Sequence, residues 1–79
     1  MPTIDYFDGI KINIYSIDHV PPHVHALYGE HEALLVIKTR KIYAGSLPPA
    51  KLKKAIAWVK ENEVEALDIF YTLNPNLKP

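Results

Sequence analysis

The stretch that decides the fold is Ile42-Tyr43-Ala44-Gly45-Ser46-Leu47-Pro48-Pro49-Ala50-Lys51-Leu52-Lys53-Lys54-Ala55-Ile56. Its first three residues are typical of a short strand that ends at Gly45. After the two prolines, which are well tolerated in a first helical turn, Leu52, Ile56 and Val59 recur at helical spacing and form one apolar stripe. The period of the apolar residues therefore changes here, and we predict strands before this point and helices after it.

The N-terminal residues predict a hairpin. Residues 10–14 alternate apolar and polar side chains, as half-buried strands do, and Asp8-Gly9 just before them is a turn signal. A two-residue loop would place the carboxylate of Asp5 opposite Ile12. A three-residue loop pairs Ile4 with Ile12 and gathers the apolar side chains on one face, so we predict the three-residue loop.

The remaining segments predict a second hairpin and a second helix. Residues 24–28 and 32–38 flank a turn at Gly29, and the return strand contains five consecutive apolar residues. Asn62 and Glu65 have capping-box spacing, which predicts a helix from Glu63 to Leu73 that Asn74-Pro75 ends. We therefore predict an α+β fold: about five short, mainly antiparallel strands followed by two C-terminal helices packed on one sheet face. The domain spans residues 1–74, and residues 75–79 form a tail.

Length and composition narrow the class of protein. A chain of 79 residues without cysteine has no disulfide and no thiolate metal site, which fits a reducing compartment. So small a core would gain stability from a metal, a partner or a second copy, which makes a homo-oligomer plausible. No apolar run approaches the roughly 20 residues of a membrane span, and no leader precedes the first strand. We expect a cytoplasmic protein with no membrane partner.

The charges are segregated although the net charge is zero. Seven of the nine basic residues fall between Lys38 and Lys60, a stretch without Asp or Glu, and an acidic band follows it. Two interpretations stay open, namely a solvated helix face and a surface that contacts RNA or DNA. For the second, the candidate phosphate-binding residues are Lys11, Arg40, Lys41, Lys51 and Lys54.

Three of the four histidines fall in one run, Asp18-His19-Val20-Pro21-Pro22-His23-Val24-His25. Imidazole is a common metal ligand and exchanges protons near neutral pH. If a strand starts at His23, then His23 and His25 share one face, which we expect to be the open face, while Val24 faces the core. The stiff Pro21-Pro22 pair can bring His19 beside them.

This histidine cluster has three interpretations. In the first, His19, His23 and His25 bind a divalent metal such as zinc, with Asp18 or Glu30 as a fourth ligand or an orienting group. In the second, two of the candidate catalytic residues His19, His23 and His25 act as general base and general acid in metal-free RNA cleavage. In the third, the imidazoles hydrogen-bond the backbone at a strand entrance and have no chemical role. The residues alone leave open whether the protein is an enzyme.

Several motifs resemble one family of small bacterial proteins, domain of unknown function 4160. They are the histidine run, with Asp18, His19, Pro21, Pro22, His23 and His25 at matching positions, together with Met1-Pro2-Thr3-Ile4, Phe7-Asp8-Gly9-Ile10, Tyr28-Gly29-Glu30 and Gly45-Ser46-Leu47-Pro48. The resemblance covers about residues 1–62, and beyond Asn62 the chain departs from the family's pattern.

The resemblance implies a component of a bacterial toxin–antitoxin-like module, with a small cognate protein encoded nearby as its partner. Two functions follow as alternatives. One is a ribonuclease toxin that uses the histidine cluster. The other is a non-catalytic metal- or nucleic-acid-binding partner, that is, an antitoxin or regulatory protein.

Overall fold

The computed structural model describes residues 3–16 and 18–79. Its described part contains five strands and two helices, in that order along the chain. They are β1 (Thr3–Phe7), β2 (Ile10–Asn13), β3 (His23–Tyr28), β4 (His31–Val36), β5 (Ile42–Ser46), α1 (Pro49–Glu61) and α2 (Glu63–Leu73), followed by one 3-10 turn (Pro75–Leu77). The strands form one antiparallel sheet in chain order, β1 to β5. The predicted α+β fold is confirmed.

The core lies on one face of this sheet. Alternate residues of the inner strands are fully buried there, and buried residues of both helices join them in one apolar cluster. The buried members on the strands include Ile10, Ile12, Val24, Ala26, Ala33 and Leu35, and those on the helices are Ala55, Val59, Ala66 and Phe70. Burial of this apolar surface, at about 25 cal/mol per Å², is the main term that holds the helices against the sheet.

The register of the first hairpin differs from our prediction. Phe7 pairs with Ile10 and Asp5 pairs with Ile12, so the loop has two residues rather than three. Asp8 and Gly9 have φ angles of 50° and 77°, the positive values that a two-residue hairpin turn requires at both positions. This turn, rather than the gathering of apolar side chains, sets the register.

A long-range contact accommodates the carboxylate of Asp5. The indole Nε1 of Trp58, on α1, donates a hydrogen bond of 2.8 Å to Asp5 Oδ2. The Asp5 carboxylate, which lies opposite Ile12, is thus hydrogen-bonded at the edge of the sheet.

The helix bounds agree with the prediction, but the capping of α2 does not. The Asn62 side chain forms no hydrogen bond at the start of α2, so the predicted capping box is wrong. Its Nδ2 instead donates to the carbonyl oxygen of Trp58 at 2.9 Å and closes the end of α1. Within residues 3–16 and 18–79, no helix is long and apolar enough to cross a membrane.

Candidate metal centre

The histidine run leads into β3, and the strand alternation places its side chains as predicted. Val24 is fully buried in the core cluster. His23 and His25 project from the other face of β3, and their ring centroids are 5.1 Å apart. His19, in the preceding loop, has its ring centroid 5.3 Å from that of His23. The three imidazoles therefore form one cluster.

The three rings differ in exposure. The side chain of His19 is 60% exposed, that of His25 is 15% exposed, and that of His23 is fully buried. Aromatic rings enclose His23, since the ring centroid of Phe70 lies 5.8 Å from it and that of Tyr43 lies 5.9 Å from it. The expectation that His23 faces open solvent is wrong, because the rings of Phe70 on α2 and Tyr43 on β5 lie against it.

Every Nδ1 atom of the cluster faces a hydrogen-bond acceptor. His19 Nδ1 lies 3.2 Å from the carbonyl oxygen of Val20, and His23 Nδ1 lies 2.7 Å from that of Pro21. His25 Nδ1 lies 3.0 Å from Oε2 of Glu32. Carbonyl and carboxylate oxygens only accept, so Nδ1 of His19 and Nδ1 of His23 each carry a proton. His25 faces a carboxylate on both sides, since its Nε2 also lies at hydrogen-bond distance, 3.4 Å, from Oδ2 of Asp18, and we assign its proton to Nδ1, which has the shorter contact. In the neutral imidazoles, the Nε2 lone pairs are therefore the ones left to bind a cation.

Two of these Nε2 atoms converge on Oδ2 of Asp18, and the third, that of His19, lies 3.7 Å from Oδ1. Oδ2 of Asp18 lies 3.2 Å from Nε2 of His23 and 3.4 Å from Nε2 of His25. These three atoms all lie within 4.8 Å of one another. Despite its short distance to Asp18, Nε2 of His23 has no hydrogen-bond partner with acceptable geometry among the described residues. Lone pairs that face a carboxylate oxygen repel it unless a proton or a metal ion lies between them.

The pKa of the Asp18 carboxyl group is lowered from its ordinary value. Burial acts to raise this pKa, but it is outweighed by the His19 N–H, which donates to Oδ1 at 2.9 Å, together with the positive charge that His23 and His25 carry when they are protonated and a hydrogen bond from His25. Asp18 is therefore ionised at neutral pH, and its Oδ2 is a negatively charged ligand atom at the centre of the cluster.

Two residues that contact the site were not predicted from the sequence. Glu32, rather than Glu30 in the β3–β4 turn, reaches His25, because β3 pairs His25 with Leu34 and leaves Glu32 diagonally opposite. Knowledge of the hairpin register would have identified it. Asn74, which we predicted only as a helix end, accepts a 2.8 Å hydrogen bond from the Asp18 N–H. No local pattern points to a contact between residues 56 positions apart.

Of the five candidate phosphate-binding residues, Lys51 and Lys54 both contact Asp8, whereas Arg40 pairs with a different acidic residue. Nζ of Lys51 donates to the Asp8 carbonyl at 2.9 Å, and Nζ of Lys54 donates to the Asp8 carboxylate at 3.0 Å. Arg40 forms a 3.2 Å ion pair with Glu63 at the start of α2. The two other candidates, Lys11 and Lys41, are exposed.

The chain matches the family model described as Domain of unknown function (DUF4160) over residues 9–70. The chain belongs to this family. The matched range contains the whole histidine cluster, and it continues past Asn62, where the sequence resemblance was expected to end. No curated protein and no solved structure gives a significant match to this DUF4160 domain.

Proposed function

We propose that this DUF4160 domain binds one divalent metal ion through Oδ2 of Asp18 and the Nε2 atoms of His23 and His25. The observation that carries the proposal is the buried Nε2 of His23. It lies 3.2 Å from a carboxylate oxygen and has no hydrogen-bond partner among the described residues, while its Nδ1 proton is already donated to Pro21.

A metal ion satisfies this arrangement better than protons do. Relief by protonation would require a second proton on each of two imidazoles, both directed at the same oxygen of Asp18. A single cation between the three atoms neutralises the carboxylate and uses both lone pairs. The acceptors at the Nδ1 atoms are those expected around metal-ligating histidines, namely a backbone carbonyl for His23 and a carboxylate for His25.

Two imidazole nitrogens and one carboxylate oxygen are ligands that suit Zn²⁺. Three protein ligands leave a coordination position open, as in catalytic rather than structural zinc sites. We place His19 beside this position, since its ring is exposed and lies next to that of His23. His19 serves there as a fourth ligand or as a group that exchanges protons with a bound substrate.

For RNA cleavage, this arrangement favours a metal-dependent reaction over the metal-free alternative. A catalytic acid or base must reach the proton that it transfers, and the fully buried ring of His23 has no such access. A bound ion would supply Lewis acidity at the phosphodiester. The exposed His19 would exchange the proton. The sequence resemblance implies a toxin–antitoxin-like module. If this domain cleaves RNA, it is the toxin of that module. If it binds a metal without activity, it is the antitoxin or regulatory partner.

Calorimetric titration of the chelator-treated protein with Zn²⁺ tests the proposal. We expect one equivalent to bind, and we expect His25→Ala to weaken binding by at least tenfold. The fourth histidine, His31, is exposed at the first residue of β4 and provides the matched control, so His31→Ala should bind as the wild type does. A wild type that binds no Zn²⁺, Mn²⁺, Fe²⁺ or Co²⁺ would refute the proposal. Growth arrest on expression, abolished by the same His25→Ala change, would assign the toxin role.

A further inference from the structure

The last turn of α2 contacts the candidate metal centre at two ligands. Asn74, the residue that follows α2, is buried and accepts the Asp18 N–H at 2.8 Å through Oδ1. Phe70, one turn earlier, is fully buried with its ring centroid 5.8 Å from that of His23. A ligand from the β2–β3 loop and a ligand from β3 thus both lie against one end of one helix.

Asn74 is itself held on both sides. Its Nδ2 donates to the carbonyl oxygen of Tyr15 at 2.9 Å and to that of Phe70 at 3.0 Å. The first bond ties the loop that carries Asp18 to the helix, and the second fixes the side chain to the end of α2. With the bond from Asp18, the amide uses its oxygen and both of its N–H groups. Such a saturated, buried amide has one orientation and transmits that orientation to Asp18.

We infer that Asn74 is a positioning residue for the metal centre and that it couples ion binding to the C-terminal end of α2. This inference rests on the proposed metal site. It gives the site a regulatory connection, because coupling between two sites is reciprocal. Ordering of the end of α2 favours ion binding, and ion binding in turn holds the end of α2 against the β2–β3 loop. A partner that displaces the end of α2 would therefore release the ion.

The chain offers a matched control in Asn62, which follows α1 as Asn74 follows α2. Nδ2 of Asn62 donates to the carbonyl oxygen four residues earlier at 2.9 Å, as Nδ2 of Asn74 does at 3.0 Å. Both backbone N–H groups bond the same carbonyls, at 3.0 Å for Asn62 and 2.9 Å for Asn74. Asn62→Ala therefore removes a comparable helix-ending interaction without a contact to the metal centre.

The test measures Zn²⁺ affinity by competition with a chromophoric chelator for wild type, Asn74→Ala and Asn62→Ala, at a temperature where all three are folded. Loss of an outer-shell partner typically weakens metal binding by about 10–100-fold. We expect at least a tenfold loss for Asn74→Ala and none beyond twofold for Asn62→Ala, together with a changed Co²⁺ absorption spectrum only for Asn74→Ala. Equal affinity of wild type and Asn74→Ala would overturn the inference and leave the metal site standing. Absence of binding by the wild type would overturn both.

A second measurement covers the case in which Asn74→Ala fails to fold. In the wild-type protein, amide hydrogen exchange reports the opening of each end of a helix separately. Zn²⁺ should slow exchange of the Asn74 N–H, which bonds the Phe70 carbonyl at the end of α2, at least tenfold more than exchange of the Asn62 N–H at the end of α1. Equal slowing at both amides would show only global stabilisation and would refute the coupling.

Discussion

Replacement of Asp18 by Asn distinguishes two interpretations of the histidine cluster, a metal centre and a set of ion pairs. The two interpretations predict opposite effects of this change on stability. Asn has the shape of Asp, and its Oδ1 can still accept the His19 N–H that lies 2.9 Å away. Its Nδ2 takes the place of Oδ2, 3.2 Å from Nε2 of His23 and 3.4 Å from Nε2 of His25. In the metal-free protein the amide can donate to one of these lone pairs, which a carboxylate repels.

The magnitudes follow from the two states. Without metal, the new hydrogen bond contributes about 0.5–1.5 kcal/mol, so Asp18→Asn should be as stable as the wild type or slightly more stable. With Zn²⁺ at about 100 times its dissociation constant, the wild type gains about 2.7 kcal/mol. In a domain of this size that gain raises the melting temperature by about 10–20 °C, and the variant should show almost none of it.

Thermal unfolding followed by circular dichroism, with chelator and with Zn²⁺, measures all four states. The reasoning fails if Asp18→Asn loses about 3–5 kcal/mol in chelator while Zn²⁺ leaves the wild type unchanged. That result would mean that Asp18 forms ion pairs with protonated histidines, since removal of one partner from a buried pair carries a cost of that size.

Three further predictions concern the site and the hairpins around it. Zn²⁺ affinity should fall as the pH is lowered, because protons compete for the imidazole lone pairs; a pH-independent affinity in calorimetry would contradict histidine ligation. Gly45→Ala should lower stability by about 2–3 kcal/mol in urea unfolding, since Gly45 has φ of 75° and an added Cβ would overlap the carbonyl oxygen of Glu32; an unchanged midpoint would contradict this. The Lys54 ammonium, through its hydrogen bond and its charge, holds the pKa of Asp8 below the ordinary 3.8, so this pair stabilises the fold above that pH and the contribution is lost as the pH falls through the lowered pKa. Lys54→Met should therefore flatten the acid side of the stability profile, and a profile identical to that of the wild type would refute the pairing.

The helices and strands of this fold were predictable where residues close in sequence determine their bounds. Residues 63–73 form the predicted helix, and Asn74-Pro75 ends it as predicted, although the capping box from which its start was predicted does not form. The register of the first hairpin was not predictable from apolar pairing, because the turn at Asp8-Gly9 outweighed it. The two-residue turn places Asp5 opposite Ile12, and this register is tolerated because Trp58 on α1 donates a hydrogen bond to Asp5. That compensation depends on the packing of α1 against the sheet, which no local pattern encodes.

The candidate site divides in the same way. The shared face of His23 and His25 follows from the two-residue period of a strand, so the sequence could place these rings together. Burial of His23 and the position of Asp18 depend instead on Phe70 and Asn74, which reach the site through the packing of α2. The sequence therefore predicts which side chains supply the chemistry, but only the tertiary structure shows which atoms face one another.

The unequal burial of the three histidines bears on the kind of metal site that the fold can form. A structural zinc site closes four protein ligands around the ion, whereas the convergent atoms here come from three residues, and the neighbouring His19 is 60% exposed. The buried side of the cluster, with His23 against Phe70, holds the geometry, and the exposed side, with His19, leaves access for a ligand. A site built only to stabilise this small domain would need no such access. Under the proposed function, this asymmetry of burial favours a centre at which a molecule from solution meets the bound ion, and His19→Ala should then lower activity more than it lowers Zn²⁺ affinity.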